Sequence, residues 1–347
     1  MLLFSVLYGV WAGTVLSAFN GDALRELSLQ LLSLAEKQGT TAPLLVARRI
    51  MGTSLLFAGE FAKSRTYLDQ AISLYDPSQH RPLAIRFGLD IGATSLFYRS
   101  SADWYLGFPD AALGEADKAL SEARAIGHAA TLMVAMGVTS LTRLLRGEYL
   151  AASTILSELD ALADQKGSAQ WKAFGVSIQG CVAALTGDAS HAVQTIDSGV
   201  HAWQSTGSTT LYGPIWSLHL AIAYARLDQF DNAWRCVSEA IAAIETTKER
   251  WWEAEINRVA GEISLRSPRG DIMTAESYFD RALAVAREQQ AKSWELRAAT
   301  SLSRLRHKGD KPQQALAVLA PIYDWFTEGF DTRDLKEAKA LLDSLAS

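Results

Sequence analysis

The sequence predicts an all-α chain, a right-handed α-solenoid of about eight helical hairpins ended by a C-terminal capping helix. Three observations predict it. A short pattern recurs in GEFAKSRTYLDQAISLYDP at 59–77, RGEYLAASTILSELDAL at 146–162 and GDASHAVQTIDSGVHAW at 187–203. Its glycine-like position falls at Gly59, Gly107, Gly147, Gly187, Asp228, Gly270 and Asp310, and five places on stands a small residue: Ser64, Ala112, Ala152, Ala192, Ala233, Ala275 and Ala315. With a worn copy centred on Leu24, the period runs from 40 to 48 residues, the mark of a repeat array. A composition of 49% hydrophobic and 20% charged residues with only eight prolines describes an ordered chain that buries much of its surface.

The period divides the chain into approximate units 1–38, 39–80, 81–127, 128–167, 168–207, 208–248, 249–290 and 291–330, with 331–347 as the cap. The opening MLLFSVLYGVWAGTVLSAFN has no charged side chain before Asp22. It lacks the Lys/Arg start of a signal peptide, and Ser5, Gly9, Gly13, Thr14, Ser17 and Asn20 dilute it as a membrane span. A buried first helix is therefore expected, with a tether formed by residues 1–19 as the alternative. A first unit normally turns a polar face outward. The apolar start thus implies self-association through this end, a partner domain there, or a longer parent protein.

Within each unit a helix A, such as PIWSLHLAIAYARL at 214–227, precedes a helix B, such as FDNAWRCVSEAIAAIE at 230–245. The glycine between them suits the left-handed backbone that ends a helix. Pro109 and Pro312 fall in the first turn of helix B, where a missing N–H costs little. Pairs seven apart, Ala112 with Ala119, Ala233 with Ala240 and Ala275 with Ala282, lie on one face and allow close helix approach. In YDWFTEGFDTRDLKEAKALLDSLA at 323–346, Asp331 with Asp334 is expected to cap the last helix, whose charged residues suit an outer face.

The pattern resembles the tetratricopeptide repeat, whose positions match Leu220, Ala221, Tyr224, Ala233, Val237 and Ala240. Val237 departs from the commoner aromatic, and the period exceeds the usual 34 residues and reaches the HEAT range. ERWWEAEINRVAGEISL at 249–265, AKSWELRAATSLSRL at 291–305 and APIYDWFTEGFDTRDLKEAKALL at 320–342 resemble the C-terminal helical region of bacterial adenylate or guanylate cyclase-like proteins and related predicted ATPases. In that family catalytic or DNA-binding output domains and a P-loop domain precede the repeats. The resemblance implies a regulatory module and carries no catalytic residue onto this chain.

A net charge of −5 with a pI near 5.7 supplies no basic face for a phosphate backbone, so nucleic acid is not an expected partner. No Gly-Lys pair exists, hence no P-loop. The six histidines form no HExxH pattern and no metal-ligand spacing. GVSIQG at 175–180 is not a GxSxG elbow and reads as a helix A segment with Gly180 at a packing position. Cys181 and Cys236 form no CxxC and read as small buried hydrophobes in a reducing compartment, the cytoplasm. Glu253 with Glu255, and Glu276 with Asp280, read as solvated acids rather than a catalytic pair. Of Trp251 and Trp252, one is expected between repeats and the other partly exposed. No enzyme activity, cofactor or metal is expected.

The function expected is a non-catalytic protein-binding or regulatory sensor module in a signalling protein. Its partner would be a protein or peptide segment, an upstream output or NTPase domain, or a second copy. A helical-barrel hydrolase with acids converging at its mouth is the competing enzyme class. Counting back along each helix A assigns the concave groove to Arg49, Thr53, Trp104, Leu141, Leu218, Ile222, Arg258, Glu262, Arg304 and His307. Such a groove is apolar in the middle and charged toward its C-terminal end. It suits a ligand with apolar anchors and an acid for Arg258 or Arg304, unless these pair with neighbours such as Glu262 and Glu295.

Overall fold

Runs of helix-forming residues, broken at the repeat glycines and aspartates and at the connections between repeats, fold as successive helices. A computed structural model describes residues 2–208, 211–268 and 270–346, and among these there are nineteen α-helices and no strand. The first unit pairs α1 (Leu2–Ser17) with α2 (Gly21–Gln38), and the second pairs α3 (Thr41–Phe57) with α4 (Phe61–Leu74). Two short helices follow, α5 (Pro77–His80) and α6 (Leu83–Phe87). This insertion accounts for the one spacing of 48 between Ser64 and Ala112.

The remaining hairpins are α7 (Ile91–Leu106) with α8 (Pro109–Ile126), α9 (Ala129–Arg146) with α10 (Tyr149–Lys166), and α11 (Ala169–Thr186) with α12 (Ala189–Ser205). Then come α13 (Gly213–Arg226) with α14 (Phe230–Thr247), α15 (Glu253–Arg266) with α16 (Ile272–Glu288), and α17 (Lys292–Lys308) with α18 (Pro312–Tyr323). The last helix, α19 (Arg333–Ala346), packs on α17 and α18.

The turn chemistry is local. Gly59, Gly107, Gly147 and Gly187 have φ of 80°, 93°, 82° and 110°, and Asp228 and Asp310 reach 57° and 59°. At Gly270 an ideal Cβ would stand 1.6 Å from the Ser264 carbonyl oxygen, so close backbone approach calls for glycine at that copy. The seven small residues five places on are each fully buried at the crossing of helices A and B. Gly180 does the same for α11 against α12, where a Cβ would meet Ile196 Cγ1 at 2.6 Å. Accordingly Ala152→Trp and Ala233→Trp should each lower stability by roughly 1–3 kcal/mol or more, read as a lowered thermal midpoint. An unchanged midpoint would show that the ring finds room elsewhere.

Helices α3, α7 and α9 are buried on nearly every face, which a helix on the inside of an open solenoid would not be. The chain winds back onto itself. Arg250 N–H donates to the Phe57 carbonyl at 2.8 Å, and the Ser293 hydroxyl donates to the Trp104 carbonyl. Trp104 meets Trp294 edge to face at 4.8 Å, and Trp251 meets Phe57 at 4.9 Å. The Glu328 carboxylate accepts from the Asp110 and Ala111 N–H groups, capping α8, while Asp110 accepts from Gly329 N–H at 2.8 Å. Aromatic rings from both halves of the chain thus fill the axis where they meet.

This closure corrects several sequence expectations. Both Trp251 and Trp252 are buried, because each faces the axis. Glu253 and Glu255 are buried as well, in ion pairs with Arg250 and Arg258, and Glu276 receives Arg306 at 3.0 Å. Thr332, rather than Asp331, precedes the last helix, its carbonyl accepting from Lys336 N–H at 3.1 Å. Asp334 turns inward to Arg297 instead of capping. Cys181 and Cys236 are buried free thiols, and burial pushes Cys236 up to about 11.

Helix α1 buries Phe4, Tyr8, Trp11 and Val15 and turns Leu3, Val6, Val10 and Leu16 outward. Among the described residues no helix is long and apolar enough to cross a membrane.

Candidate ligand-binding cavity

The axis is not filled everywhere. Where the aromatic packing ends, a cavity of about 370 Å³ opens, walled by α13, α15, α17 and α19 and by the α9–α10 turn. Its volume falls within the range of small-ligand sites, about 300–1,000 Å³. Leu218, Ile222 and Val259 supply apolar wall, and the Trp252 ring lies beneath. Helix A periodicity brings them together, since Leu218 and Ile222 stand one turn apart.

Opposite lies a network of charge. Arg258 forks onto Glu255 with two bonds of 2.8 Å, Nε to Oε2 and Nη2 to Oε1. It also reaches Glu262 at 3.3 Å and the Ser301 hydroxyl at 3.3 Å. Ser301 in turn donates to Glu262 at 2.6 Å. Arg297 donates to Asp334 at 2.7 Å, to Glu255 at 3.4 Å and to the Leu145 carbonyl at 2.6 Å. Its guanidinium also lies over the edge-to-face Trp104 and Trp294 rings, 5.2 and 5.0 Å from their centroids. Bidentate, buried pairs of this kind fix geometry as well as charge.

The electrostatics follow. Burial opposes ionisation of Glu255, but the guanidiniums of Arg258 and Arg297 outweigh it and hold the carboxyl below its ordinary value. For Asp334 burial wins and lifts the carboxyl despite Arg297. Burial also lowers His219 to about 4, so its ring is neutral at pH 7. With Nδ1 against the Ile215 carbonyl at 2.7 Å and Trp252 edge to face at 5.7 Å, His219 is a packed wall residue.

Of the sequence-assigned groove residues, Leu218, Ile222, Arg258, Glu262 and Arg304 line this cavity. Arg49, Thr53, Trp104 and Leu141 are buried away from it. Arg49 stacks over Tyr8 and Trp11, and Thr53 donates to the Arg49 carbonyl. His307 is exposed beyond the cavity. Arg258 is engaged with Glu255 and Glu262, Arg304 lies 3.6 Å from Glu337, and Glu295 receives Arg287 and Lys292. The reading missed Arg297, Arg226, Arg333 and Asp334. Arg297 was within reach, being seven residues before Arg304 on the same helical face. Arg333 and Asp334 reach the cavity only because α19 folds back, which no local pattern encodes.

Among the described residues no group of His, Cys, Asp and Glu is arranged to hold a metal ion. No family model matches the sequence, and no curated protein sequence matches it. Solved structures do resemble the fold. A Rap protein complexed with competence and sporulation factor aligns with a TM-score of 0.60 at 14% identity, over 93% of this chain and 81% of that one. The Rap conjugation gene regulator of plasmid pLS20, in complex with the Phr* peptide, gives 0.60 at 12%, over 90% and 77%. Aspartyl phosphate phosphatase F from Bacillus subtilis gives 0.51 at 13%, over 89% and 76%. At such identities the likeness is one of fold, and the fold is a helical solenoid of tetratricopeptide type.

Proposed function

We propose that the chain is a non-catalytic binding module whose axial cavity receives a short peptide or protein segment. The observation that carries this reading is the cavity itself. It pairs an apolar wall at Leu218 and Ile222 with charged side chains already held by one another, and such preorganisation lowers the ordering cost of binding. The neighbours bound to competence and sporulation factor and to the Phr* peptide support it, since they share the solenoid. The finer reading, from the resemblance of 249–265 and 291–305, is a regulatory part of a bacterial signalling protein of the cyclase–ATPase kind, working in the cytoplasm. Here the binding event would bias an output domain.

Affinity selection with the full chain tests the reading. The probe is a pooled pentapeptide library built from Leu, Phe, Ser and Glu, with retained peptides identified by mass spectrometry. The parent should retain a defined subset, and Ile222→Gln, which removes one apolar anchor, should weaken that retention about tenfold, equivalent to about 1.4 kcal/mol. No retention by the folded parent would defeat the peptide reading, and equal retention by Ile222→Gln would move the site away from this wall.

A further inference from the structure

The arginines around the cavity divide into two groups. Six arginines and four carboxylates line it, so cations are in excess. Arg258 and Arg297, deep in the wall, are saturated by Glu255, Glu262 and Asp334. Those nearer solvent are less so, Arg226 and Arg266 least of all. Arg226, at the last turn of α13, donates to the Leu185 carbonyl at 3.3 Å and has no ion pair among the described residues. Arg266 lies 3.8 Å from Asp228, a carboxylate that is 79% exposed, a contact of little energetic weight. Arg333 is held at its place by the Tyr149 hydroxyl at 2.9 Å and by Glu337, which Arg304 also approaches.

We propose that Arg226, Arg266 and Arg333 form a receptor for a carboxylate of the bound peptide, at the solvent end of the axial cavity. This rests on the peptide-binding reading and adds the chemistry of the ligand. Three guanidiniums gathered at one cavity repel one another, and a ligand carboxylate both relieves that repulsion and matches the planar fork of an arginine. Arg226 registers the crowding. Burial lowers its proton affinity first, and the charges of Arg266 and Arg333 lower it further. The apolar wall at Ile222, one turn before Arg226 on α13, would then receive an apolar side chain of the same peptide. The acid-binding role therefore passes from Arg258, which has its own carboxylates, to Arg226 and Arg266, which have no close carboxylate, with Arg333 held beside them by Glu337 and Tyr149.

The test uses the full chain and four pentapeptide pools. All are built from Leu, Phe and Ser, with or without Glu, and each has either a free C-terminal acid or an amide. The parent should retain the pools that carry a carboxylate at least tenfold over the amide pool without Glu. Comparison of the acid pool without Glu with the amide pool containing Glu tells whether the chain end or a side chain supplies the group. The Arg226→Gln, Arg266→Gln double variant should lose that preference while retaining the carboxylate-free pool as the parent does. Arg226→Lys, which keeps the charge and removes the fork, should fall between them, and it carries the test if the double variant fails to fold. Equal retention of all pools by the parent, or an undiminished acid preference in the folded variants, would overturn this receptor alone. Failure of the parent to retain any pool would overturn the peptide reading and the receptor with it.

Discussion

Glu249→Gln should reduce a fall in stability that the parent shows as pH rises from 4.5 to about 8, the interval between the ordinary glutamate value and the value Glu249 takes in the fold. Glu249 is fully buried just before α15. Its Oε1 accepts from Trp251 Nε1–H at 2.8 Å and from Tyr212 N–H at 3.2 Å, while Oε2 has no partner among the described residues. Burial among Trp251 and Tyr212 disfavours the carboxylate, and two neutral donors do not offset it.

The folded state therefore binds a proton that the unfolded chain gives up more readily. A raised carboxyl value contributes stability fully below pH 4.5, and that contribution is lost as pH climbs to about 8. With each tenfold in proton affinity worth about 1.4 kcal/mol, the loss is about 4–5 kcal/mol. Glutamine keeps the accepting oxygen and cannot ionise, so the variant should be the more stable at pH 9 and should show a shallower fall across the interval, what remains belonging to other raised carboxyls such as Asp103, pushed up to about 6 by burial. Denaturant midpoints measured from pH 4 to 9 decide it. A variant whose slope matches the parent's would assign the loss to other groups.

Local rules made the hairpins legible. Gly59, Gly107, Gly147 and Gly187 end their helices with left-handed φ, and Ala112, Ala152 and Ala233 stand at helix crossings, all as the spacing requires. Each of these is set by neighbours within one repeat. The cavity was legible only in part, for a physical reason. Counting along helix A finds which residues face the axis, as it did for Leu218, Ile222 and Arg258, but it cannot say whether the axis is open or packed. Trp104 faces inward as expected and is covered by Trp294, 190 positions later in the chain. Arg49 is covered by Tyr8 and Trp11 of the first helix. Closure depends on large side chains meeting across the superhelix, and that is a property of the whole curvature rather than of any window of sequence.

Arg297→Ala should cost about 3–5 kcal/mol of stability, the effect expected when one partner of a buried ion pair is removed. Arg297 joins the middle of the chain to its last helices. Its guanidinium reaches the Leu145 carbonyl of α9 and Asp334 of α19, and it packs over Trp104 of α7 and Trp294 of its own helix. Truncation to alanine removes the stacking and the donor to Leu145, and leaves Glu255 and Asp334 facing a cavity with one cation fewer.

The pH dependence separates the charge loss from simple loss of packing. In the parent, Arg258 and Arg297 hold Glu255 below its ordinary value, so this carboxylate contributes stability above that value and the contribution is lost as pH falls. Without Arg297, Glu255 and Asp334 take up protons more readily in the fold. Protonation removes the unpaired buried charge, and the deficit relative to the parent should shrink as pH is lowered toward 4. Arg297→Lys should retain part of the stability, having the charge without the fork. Chemical denaturation at pH 4 and 7, with hydrogen exchange on α7 and α17, gives the readings. Exchange should rise first at these two helices, where the winding closes. A deficit below 1 kcal/mol at pH 7, or one that grows on acidification, would show that the aromatic packing of Trp104 against Trp294 closes the superhelix without help from the arginine.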